Sequence, residues 1–261
     1  MSAQFAPVRS VLIGVMDMVK PHREGWVRKH PFDDAHGVDT SGMVPGFLIR
    51  QGDPMDAPTM VYAGAQPSIV RAALRQIPDH EHCHFVDVGT GKGRPLFVAT
   101  EFAFAKLTGV ELSPALARMA QRNASAFARR FPDRQAVEVV NRNILAFDLP
   151  RENLVLFLYN PFDRPVVEAL AQKLEQHLAL SRSAFYLVYC NPTYGDVFDA
   201  VPALKRRYAA QVPYDAEEIG FGPDTSDAVV IWQNRGNPNL RPEGTPDAPI
   251  RIVTPGWRAE I

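Results

Sequence analysis

The sequence has few of the features that mark a secreted or a membrane protein. Only two cysteines, Cys83 and Cys190, occur in 261 residues, too few for a disulfide framework, so we expect both thiols to be reduced. The most apolar run near the N-terminus, residues 11–19, is interrupted by Asp17 and is too short to span a bilayer. These absences predict a cytoplasmic protein without a membrane partner.

The sequence also lacks a charge excess and a recognisable metal site. Lysine and arginine together number 28 and aspartate and glutamate 29, so no overall basic field indicates a nucleic-acid partner. Histidines alternate at residues 80–84, but no cysteine or carboxylate set has the spacing of metal ligands. We therefore predict no metal.

The order of the predicted elements indicates an α/β protein. The predicted strands are residues 84–88, 107–111, 136–141, 154–159, 183–190 and 228–233. The predicted helices are residues 67–77, 95–106, 114–130, a stretch from Pro165 and residues 196–204. Such alternation predicts a Rossmann-like, doubly wound and mostly parallel sheet, with ligands at the carboxyl ends of its strands.

Segments of different composition flank this predicted core. Residues 1–59 contain a predicted helix at 7–19, followed by a mostly irregular arm that is rich in glycine and proline. Residues 60–235 form the predicted domain. Residues 236–261 are rich in proline and are assigned no secondary structure.

The strongest chemical signal is a short apolar strand that runs into glycines. Residues 87–93 read DVGTGKG. Glycines at alternate positions let the backbone pass close to a ligand and leave N–H groups open at the start of a helix. The third glycine of a dinucleotide fingerprint would fall at position 94, where Arg94 stands, so a dehydrogenase fits poorly.

This pattern resembles the first motif of class I methyltransferases that depend on S-adenosyl-L-methionine (SAM), in which a strand ends in an acid followed by G-x-G-x-G. The resemblance implies that SAM is the cofactor and that Asp87 lies near its methionine end. Residues expected along the cofactor are Gly89, Thr90, Gly91 and Gly93. A second acid is expected at the end of the next strand, to accept both ribose hydroxyls. Glu111 stands there, about 20 residues on, with Leu112 beside it.

The segment after the third predicted strand departs from the family. Many members place an aspartate beside the adenine amino group, whereas residues 141–144 read NRNI here. Asn143 replaces the carboxylate, and its amide oxygen can still accept a hydrogen bond from adenine. Asn143 can equally be a turn residue.

The fourth predicted strand ends in YNPF at residues 159–162, which resembles the (Asn/Asp)-Pro-Pro-(Tyr/Phe) motif of methyltransferases acting on exocyclic or amide nitrogen. The resemblance implies that Asn160 and a carbonyl fixed by Pro161 orient an amine, that Phe162 packs against it, and that no metal is needed. The second proline is absent, and Asn-Pro is also a common turn.

Methyl transfer to nitrogen is the predicted activity. A comparable Asn followed by Phe occurs in non-SET histone lysine methyltransferases, so a protein lysine is one alternative. An oxygen acceptor, a non-catalytic SAM-binding module and a nucleic-acid modifier are further alternatives, and a basic surface around the pocket would mark the last of them. The predicted acceptor is a small molecule or a protein side chain rather than nucleic acid, and its identity and the oligomeric state stay open.

A further segment reads GVDTSG at residues 37–42. Together with the glycine and YNPF motifs it resembles a group of bacterial SAM methyltransferases of unassigned substrate. The segment can fold over the cofactor as a lid, with Thr40 and the later Tyr62 as contacts. It can equally form a capped turn that leads into the domain.

Overall fold

The computed structural model describes residues 29–42, 62–222 and 224–236, together with the backbone of two strands near the C-terminus. The helices are α1 (Pro31–His36), α2 (Pro67–Leu74), α3 (Arg94–Ala99), α4 (Pro114–Arg130), α5 (Arg164–Leu180) and α6 (Gly195–Asp199). The strands are β1 (His84–Val88), β2 (Lys106–Glu111), β3 (Val137–Asn141), β4 (Leu154–Tyr159), β5 (Phe185–Cys190), β6 (Leu204–Pro213), β7 (Ser226–Asn234), β8 (Arg251–Thr254) and β9 (Trp257–Glu260). The helix predicted at residues 7–19 lies outside the described residues.

Seven strands form one sheet in the order β3-β2-β1-β4-β5-β7-β6. Strands β1 to β5 run parallel to one another, and β7 is antiparallel to both β5 and β6. The central strands β1, β4 and β5 are almost entirely buried, as expected for parallel strands covered on both faces. The predicted fold class, a Rossmann-like, doubly wound and mostly parallel sheet, is confirmed.

Helices cover the two faces of the sheet with separate apolar layers. On one face α2, α3 and α4 pack against a layer that includes Phe85, Phe157 and Tyr186. On the other face α5 and α6 pack against a layer that includes Leu156 and Trp232. Burying one such large apolar side chain stabilises the fold by about 1.5–3 kcal/mol, so the two layers hold the central strands rigidly.

The direction of winding reverses between β1 and β4. From β1 the chain passes through α3 and α4 to β2 and β3 on one side, and it then returns to place β4 and β5 on the other side. Ligands of such sheets bind in the crevice outside the carboxyl ends of the strands at this switch point. The segments that follow β1 and β4, residues 89–93 and 160–163, both lie there.

The start of α4 was predicted correctly from local sequence signals. The helix begins at Pro114, and the side chain of Ser113 accepts a hydrogen bond from the N–H of Leu116, as the Ser-Pro pair predicts. Helix α2 also begins where predicted, at Pro67, although it ends at Leu74 rather than at residue 77.

Other predictions were wrong where tertiary pairing prevails over local pattern. The helix expected at residues 95–106 ends at Ala99, and residues 100–105 connect it to β2, which begins at Lys106. The helix expected at 196–204 ends at Asp199, and Leu204–Pro213 is an edge strand that the sequence analysis missed. This strand lacks apolar alternation and is stabilised by its long antiparallel pairing with β7.

The two flanking segments also contain more regular structure than predicted. Helix α1 lies within the arm expected to be mostly irregular. In the tail, which was assigned no secondary structure, β8 and β9 pair antiparallel. The β-branched residues Ile252 and Val253, followed by Pro255-Gly256, are the signal for such a pair that the sequence analysis overlooked. Within the part of the chain that the structure describes, no helix is long and apolar enough to cross a bilayer.

Candidate active site

The turn after β1 lets another group approach its backbone closely. Gly89, Gly91 and Gly93 have φ angles of 68°, 57° and 94°, in the region that favours glycine. A Cβ atom at Gly89 would lie 2.8 Å from the Cβ of Pro161, and one at Gly91 would overlap the ring of Tyr62. Both conformation and space therefore require glycine in this segment, residues 89–93, which we call the glycine turn.

Glu111, at the carboxyl end of β2, supports the glycine turn. Its Oε2 accepts a hydrogen bond from the N–H of Gly91 at 2.8 Å, and its Oε1 accepts one from the N–H of Ser113 at 2.8 Å. Burial raises the pKa of Glu111, while these N–H donors oppose the shift. Each carboxylate oxygen can accept a further hydrogen bond, so ligand hydroxyls have acceptors at this position.

Asp87 lies at the same edge of the sheet, near the end of β1. Its Oδ2 accepts a hydrogen bond from the hydroxyl of Thr90 at 2.5 Å. Burial raises the pKa of Asp87 to about 7, Glu111 adds to this shift, and the Thr90 hydroxyl opposes it. Among the described residues no cationic side chain bonds to Asp87, so a positively charged ligand group would stabilise its ionised form.

A second turn, residues 160–163, follows β4. Asn160 has a φ of 38°, which is uncommon for a residue other than glycine and which Asn tolerates best. Its Oδ1 accepts a hydrogen bond from the hydroxyl of Tyr189 at 3.1 Å, so the orientation of the amide is fixed. The next strand repeats the arrangement, since Asn191 follows β5 with a φ of 49° and precedes Pro192.

The two turns touch each other at the switch point. Pro161 lies against Gly89, so the backbone of the glycine turn and the Asn-Pro turn are in van der Waals proximity. Phe162 is half-buried and packs on the apolar layer under α5. The structure therefore brings together the residues predicted at the cofactor and the residues predicted at the acceptor.

The segment that contains GVDTSG docks on the glycine turn through a buried polar network. Asp33 accepts hydrogen bonds from the N–H and the hydroxyl of Thr40. Arg94, at the start of α3, donates from Nε to the Thr40 hydroxyl at 2.7 Å and from Nη2 to the Thr40 carbonyl at 3.0 Å. The Thr40 hydroxyl thus bridges a buried carboxylate and a buried guanidinium.

Two further side chains attach this segment to the domain. Lys92 donates from Nζ to the carbonyl of Ser41 at 2.6 Å. The Asn123 amide bonds to both the N–H and the carbonyl of Asp39 and to the carbonyl of Lys92, at 2.8–3.0 Å. Residues 38–41 therefore form part of the support of the glycine turn. Contact between Thr40 and a cofactor stays a prediction.

Tyr62 lies over the glycine turn. Its ring faces Gly91, and its hydroxyl donates to the carbonyl of Thr40 at 2.8 Å. The Nζ of Lys92 is 5.7 Å from the ring centroid. Burial raises the pKa of Tyr62, so the hydroxyl is neutral and the ring forms a wall beside the turn.

The residues expected around an adenine lie at the ends of β2 and β3. Leu112 follows Glu111 and is 48% exposed, an apolar surface beside the turn. The Oδ1 of Asn143 accepts from the N–H of Leu145 at 2.9 Å, which is the turn role that was left open. Asn141, which the sequence analysis missed, donates from Nδ2 to the carbonyls of Glu111 and Leu112 at 2.8 and 2.9 Å.

A further carboxylate that the sequence analysis missed lies on the β5 side of the edge. The Oδ2 of Asp227, near the start of β7, accepts hydrogen bonds from the hydroxyls of Tyr159 and Tyr214, each at 2.8 Å. Because β7 is antiparallel to β5, its first residues lie where β5 ends, and Cys190 pairs with Val229. No local motif marks Asp227, since only the reversed strand direction places it there.

The alternating histidines do not form a cluster of metal ligands. His84 is buried in β1, where Nε2 hydrogen-bonds to the hydroxyl of Thr108 at 2.8 Å and Nδ1 to Glu152 at 3.2 Å. In the described ranges no group of three or more His, Cys, Asp or Glu side chains is arranged to hold a metal ion.

Comparison with known proteins yields matches to solved structures only, since no family model and no curated protein matches the chain. SMU.472 in complex with SAH is 14% identical over 64% of this chain and 52% of that chain, with a TM-score of 0.45. The 23S rRNA methyltransferase ErmE is 16% identical over 69% of this chain and 72% of that chain, with a TM-score of 0.43. The N-methyltransferase NodS from Bradyrhizobium japonicum WM9, in complex with SAH, is 12% identical over 64% of this chain and 85% of that chain, with a TM-score of 0.43.

This chain therefore spans about half the length of SMU.472. At these identities and scores the likeness concerns the path of the chain alone. The ligands and acceptors named for those proteins belong to them.

Proposed function

We propose that this protein is a SAM-dependent methyltransferase that transfers the methyl group to a nucleophilic nitrogen. The observation that carries the proposal is the contact between two turns at the switch point of the sheet. The carboxylate of Glu111 holds the glycine turn through the N–H of Gly91, and the turn at Asn160 offers an amide oxygen that the Tyr189 hydroxyl holds. Pro161 against Gly89 brings the two within one site.

The residues along the glycine turn suit the chemistry of SAM. Gly89 and Gly91 have no room for a Cβ because Pro161 and the ring of Tyr62 lie against them, so the glycines let these two side chains wall the site closely. The carboxylate of Glu111 can accept ribose hydroxyls, and the exposed side chain of Leu112 can cover one face of an adenine. Asp87 is a buried acid without a cationic partner among the described side chains, which suits the amino group of the methionine moiety.

Positioning is the main task that remains for the protein. SAM, when bound, supplies a methyl carbon already activated by its sulfonium. The Asn160 amide oxygen accepts a hydrogen bond from the acceptor N–H and so aligns the nitrogen lone pair with that carbon. The Tyr189 hydroxyl fixes the amide in place. Such alignment alone can contribute about 7–11 kcal/mol to lowering a barrier.

The first experiment is calorimetric titration with SAM and, separately, with NAD. We expect SAM to bind and NAD not to bind. Glu111→Gln should weaken SAM binding by a factor on the order of 10–100, because hydrogen bonds to a charged group contribute about 1.5–3 kcal/mol. Glu138→Gln is the matched control, since Glu138 is exposed on β3 and its ion pair among the described residues is with Lys106 at 2.9 Å.

Binding of NAD in place of SAM, or no binding of SAM by the wild type, would remove the proposal. If SAM binds, transfer of a labelled methyl group to small amines, proteins and nucleic acids separates the acceptor classes. A nitrogen in the product supports the proposal. A methylated oxygen in the product would contradict the proposed nitrogen specificity. SAM binding without any methyl transfer would indicate a SAM-binding module.

A further inference from the structure

Two tyrosine hydroxyls donate to the same oxygen of Asp227. Tyr159 and Tyr214 both bond to Oδ2 at 2.8 Å, and among the described residues no donor bonds to Oδ1. The side chain is buried, with Asp227 only 5% exposed. Oδ1 therefore keeps lone pairs that a ligand N–H can use.

Among the described residues, the charged and titratable groups that act on Asp227 include no cation. Tyr159 faces it from β4, Tyr214 from the end of β6, and Asp224 from the loop before β7. On β5, Cys190 lies close enough that Asp227 and Asp87 both raise the pKa of its thiol. The surroundings therefore attract a positively charged or N–H-bearing group.

Asp227 is linked to the Asn-Pro turn through the backbone as well. Tyr159 directly precedes Asn160, so its hydrogen bond to Asp227 anchors the end of β4. The N–H of Asn191 donates to the carbonyl of Ala228 at 2.8 Å, which holds the first residues of β7 beside the second Asn-Pro turn. Asp227 thus lies at the same end of the sheet as the acceptor residues, with Tyr159 and Tyr214 on the face covered by α2–α4 and Tyr189 on the other face.

We propose that Asp227, held by Tyr159 and Tyr214, is the acceptor-side carboxylate that receives an N–H of the amine through Oδ1 and takes its proton during methyl transfer. This inference rests on the proposed function and names an amine as the acceptor class. The C–S bond of SAM breaks with its electron pair on sulfur, and the nitrogen lone pair forms the N–CH3 bond. The proton shed by nitrogen moves to Oδ1 and then to water.

The acidity of Asp227 agrees with this role. Burial raises its pKa to about 6, while the two tyrosine hydroxyls oppose the shift. A carboxylate whose pKa lies close to neutral pH is largely ionised at that pH and is still basic enough to accept a proton. Below about pH 6 the carboxyl is protonated and neither attracts a cation nor accepts a proton.

A test that needs no acceptor compares two cofactor analogues. Sinefungin carries an amino group on a carbon that replaces the sulfur of SAH, so its amine occupies the position of the transferred methyl group. We expect the wild type to bind sinefungin more tightly than SAH. The ratio of the two affinities should fall as the pH is lowered through about 6.

Two variants separate a role in recognition from a role in stability. Asp227→Asn should reduce the sinefungin preference at pH 8 by about tenfold while SAH affinity stays within about twofold of wild type. Tyr214→Phe should keep the preference but move its pH midpoint upward, because a donor to the carboxylate is lost. Glu138→Gln is the control, since this exposed carboxylate lies on β3, at the opposite edge of the sheet from β7, and should not change the ratio.

Asp87 also titrates near neutral pH and remains in every variant. The quantity to compare is therefore the difference between each variant and the wild type across pH 5.5–8. An unchanged ratio in Asp227→Asn, with normal SAH binding, would overturn the inference and leave the proposed function intact. If the pH midpoint of the affinity ratio does not move in Tyr214→Phe, the inference is overturned as well. This second variant decides the question if Asp227→Asn does not fold. Failure of the wild type to bind SAH or SAM would instead remove the proposed function.

Discussion

The two halves of the candidate site are built in different ways. On the β1–β2 side, Asp87, the glycine turn and Glu111 lie within 25 residues of one another in the chain and act largely through backbone N–H groups. On the β4–β5–β7 side, Asn160, Tyr189 and Asp227 come from distant segments and act through side chains. The first half is a local backbone motif, and the second is an assembly that exists only in the folded sheet.

This difference suggests a division of labour. A backbone turn with little freedom suits an invariant ligand such as a cofactor, whereas side chains from several strands can be changed one at a time to suit an acceptor. Three substitutions test whether the halves are separate in function.

The largest effect is expected from Gly91→Ala on the cofactor half. The new Cβ would overlap the Tyr62 ring, and the φ of 57° costs a non-glycine residue about 1–2 kcal/mol in addition. We expect calorimetric SAM binding to fall by about 100- to 1,000-fold, because overpacking adds about 1–3 kcal/mol to this strain. Gly222→Ala is the control, because a Cβ at that position meets nothing within 4 Å. Wild-type SAM affinity in Gly91→Ala would show that the turn does not hold the cofactor.

The next effect separates the halves directly. Asn160→Gly removes the amide and keeps the backbone angle accessible, so methyl transfer to an acceptor found by labelling should fall about 100-fold with SAM affinity unchanged. Asn191→Gly makes the same change after β5 and should reduce the rate less. A loss of SAM binding in Asn160→Gly would show that the two halves are not separate in function. Equal methyl-transfer rates in the two variants would argue against Asn160 as the positioning residue.

The smallest effect is expected in the segment at residues 29–42. It tests whether this segment belongs to the cofactor half. Thr40→Val keeps the shape of the side chain but removes the hydroxyl between Asp33 and Arg94. We expect the free energy of unfolding in urea to fall by about 1–3 kcal/mol and SAH affinity to fall several-fold. Thr40→Ser, which keeps the hydroxyl, should restore both. If stability falls while SAH affinity at low temperature does not, the segment supports the fold alone.

Local patterns were enough to predict the elements that depend on short-range chemistry. The Ser113-Pro114 pair begins a helix because a side-chain oxygen caps the first turn, and the run at residues 154–159 is a buried strand because it has no polar side of its own. The alternation of such elements leads to a doubly wound sheet. The glycine spacing likewise predicts a close backbone approach, since it depends on φ angles that other residues rarely adopt.

Predictions that depended on long-range pairing were wrong or absent. Strand β6 was missed, because its edge position and its pairing with β7 cannot be recognised from its own residues. The bonds of Thr40 to Asp33 and Arg94 were not predicted either, because Arg94 is far from the other two residues in the chain, and the contact of Thr40 with a cofactor stays a prediction.

The sequence by itself determined the Rossmann-like class and the residues of the glycine turn, because periodicity and φ preference act over a few residues. Only the tertiary structure decided which side chains meet across the carboxyl edge. Gly89 meets Pro161 because winding reverses between β1 and β4, and Asp227 reaches Tyr159 because β7 runs against its neighbours. Strand order and direction are set by the packing of whole layers, and that packing brings distant segments to a common edge.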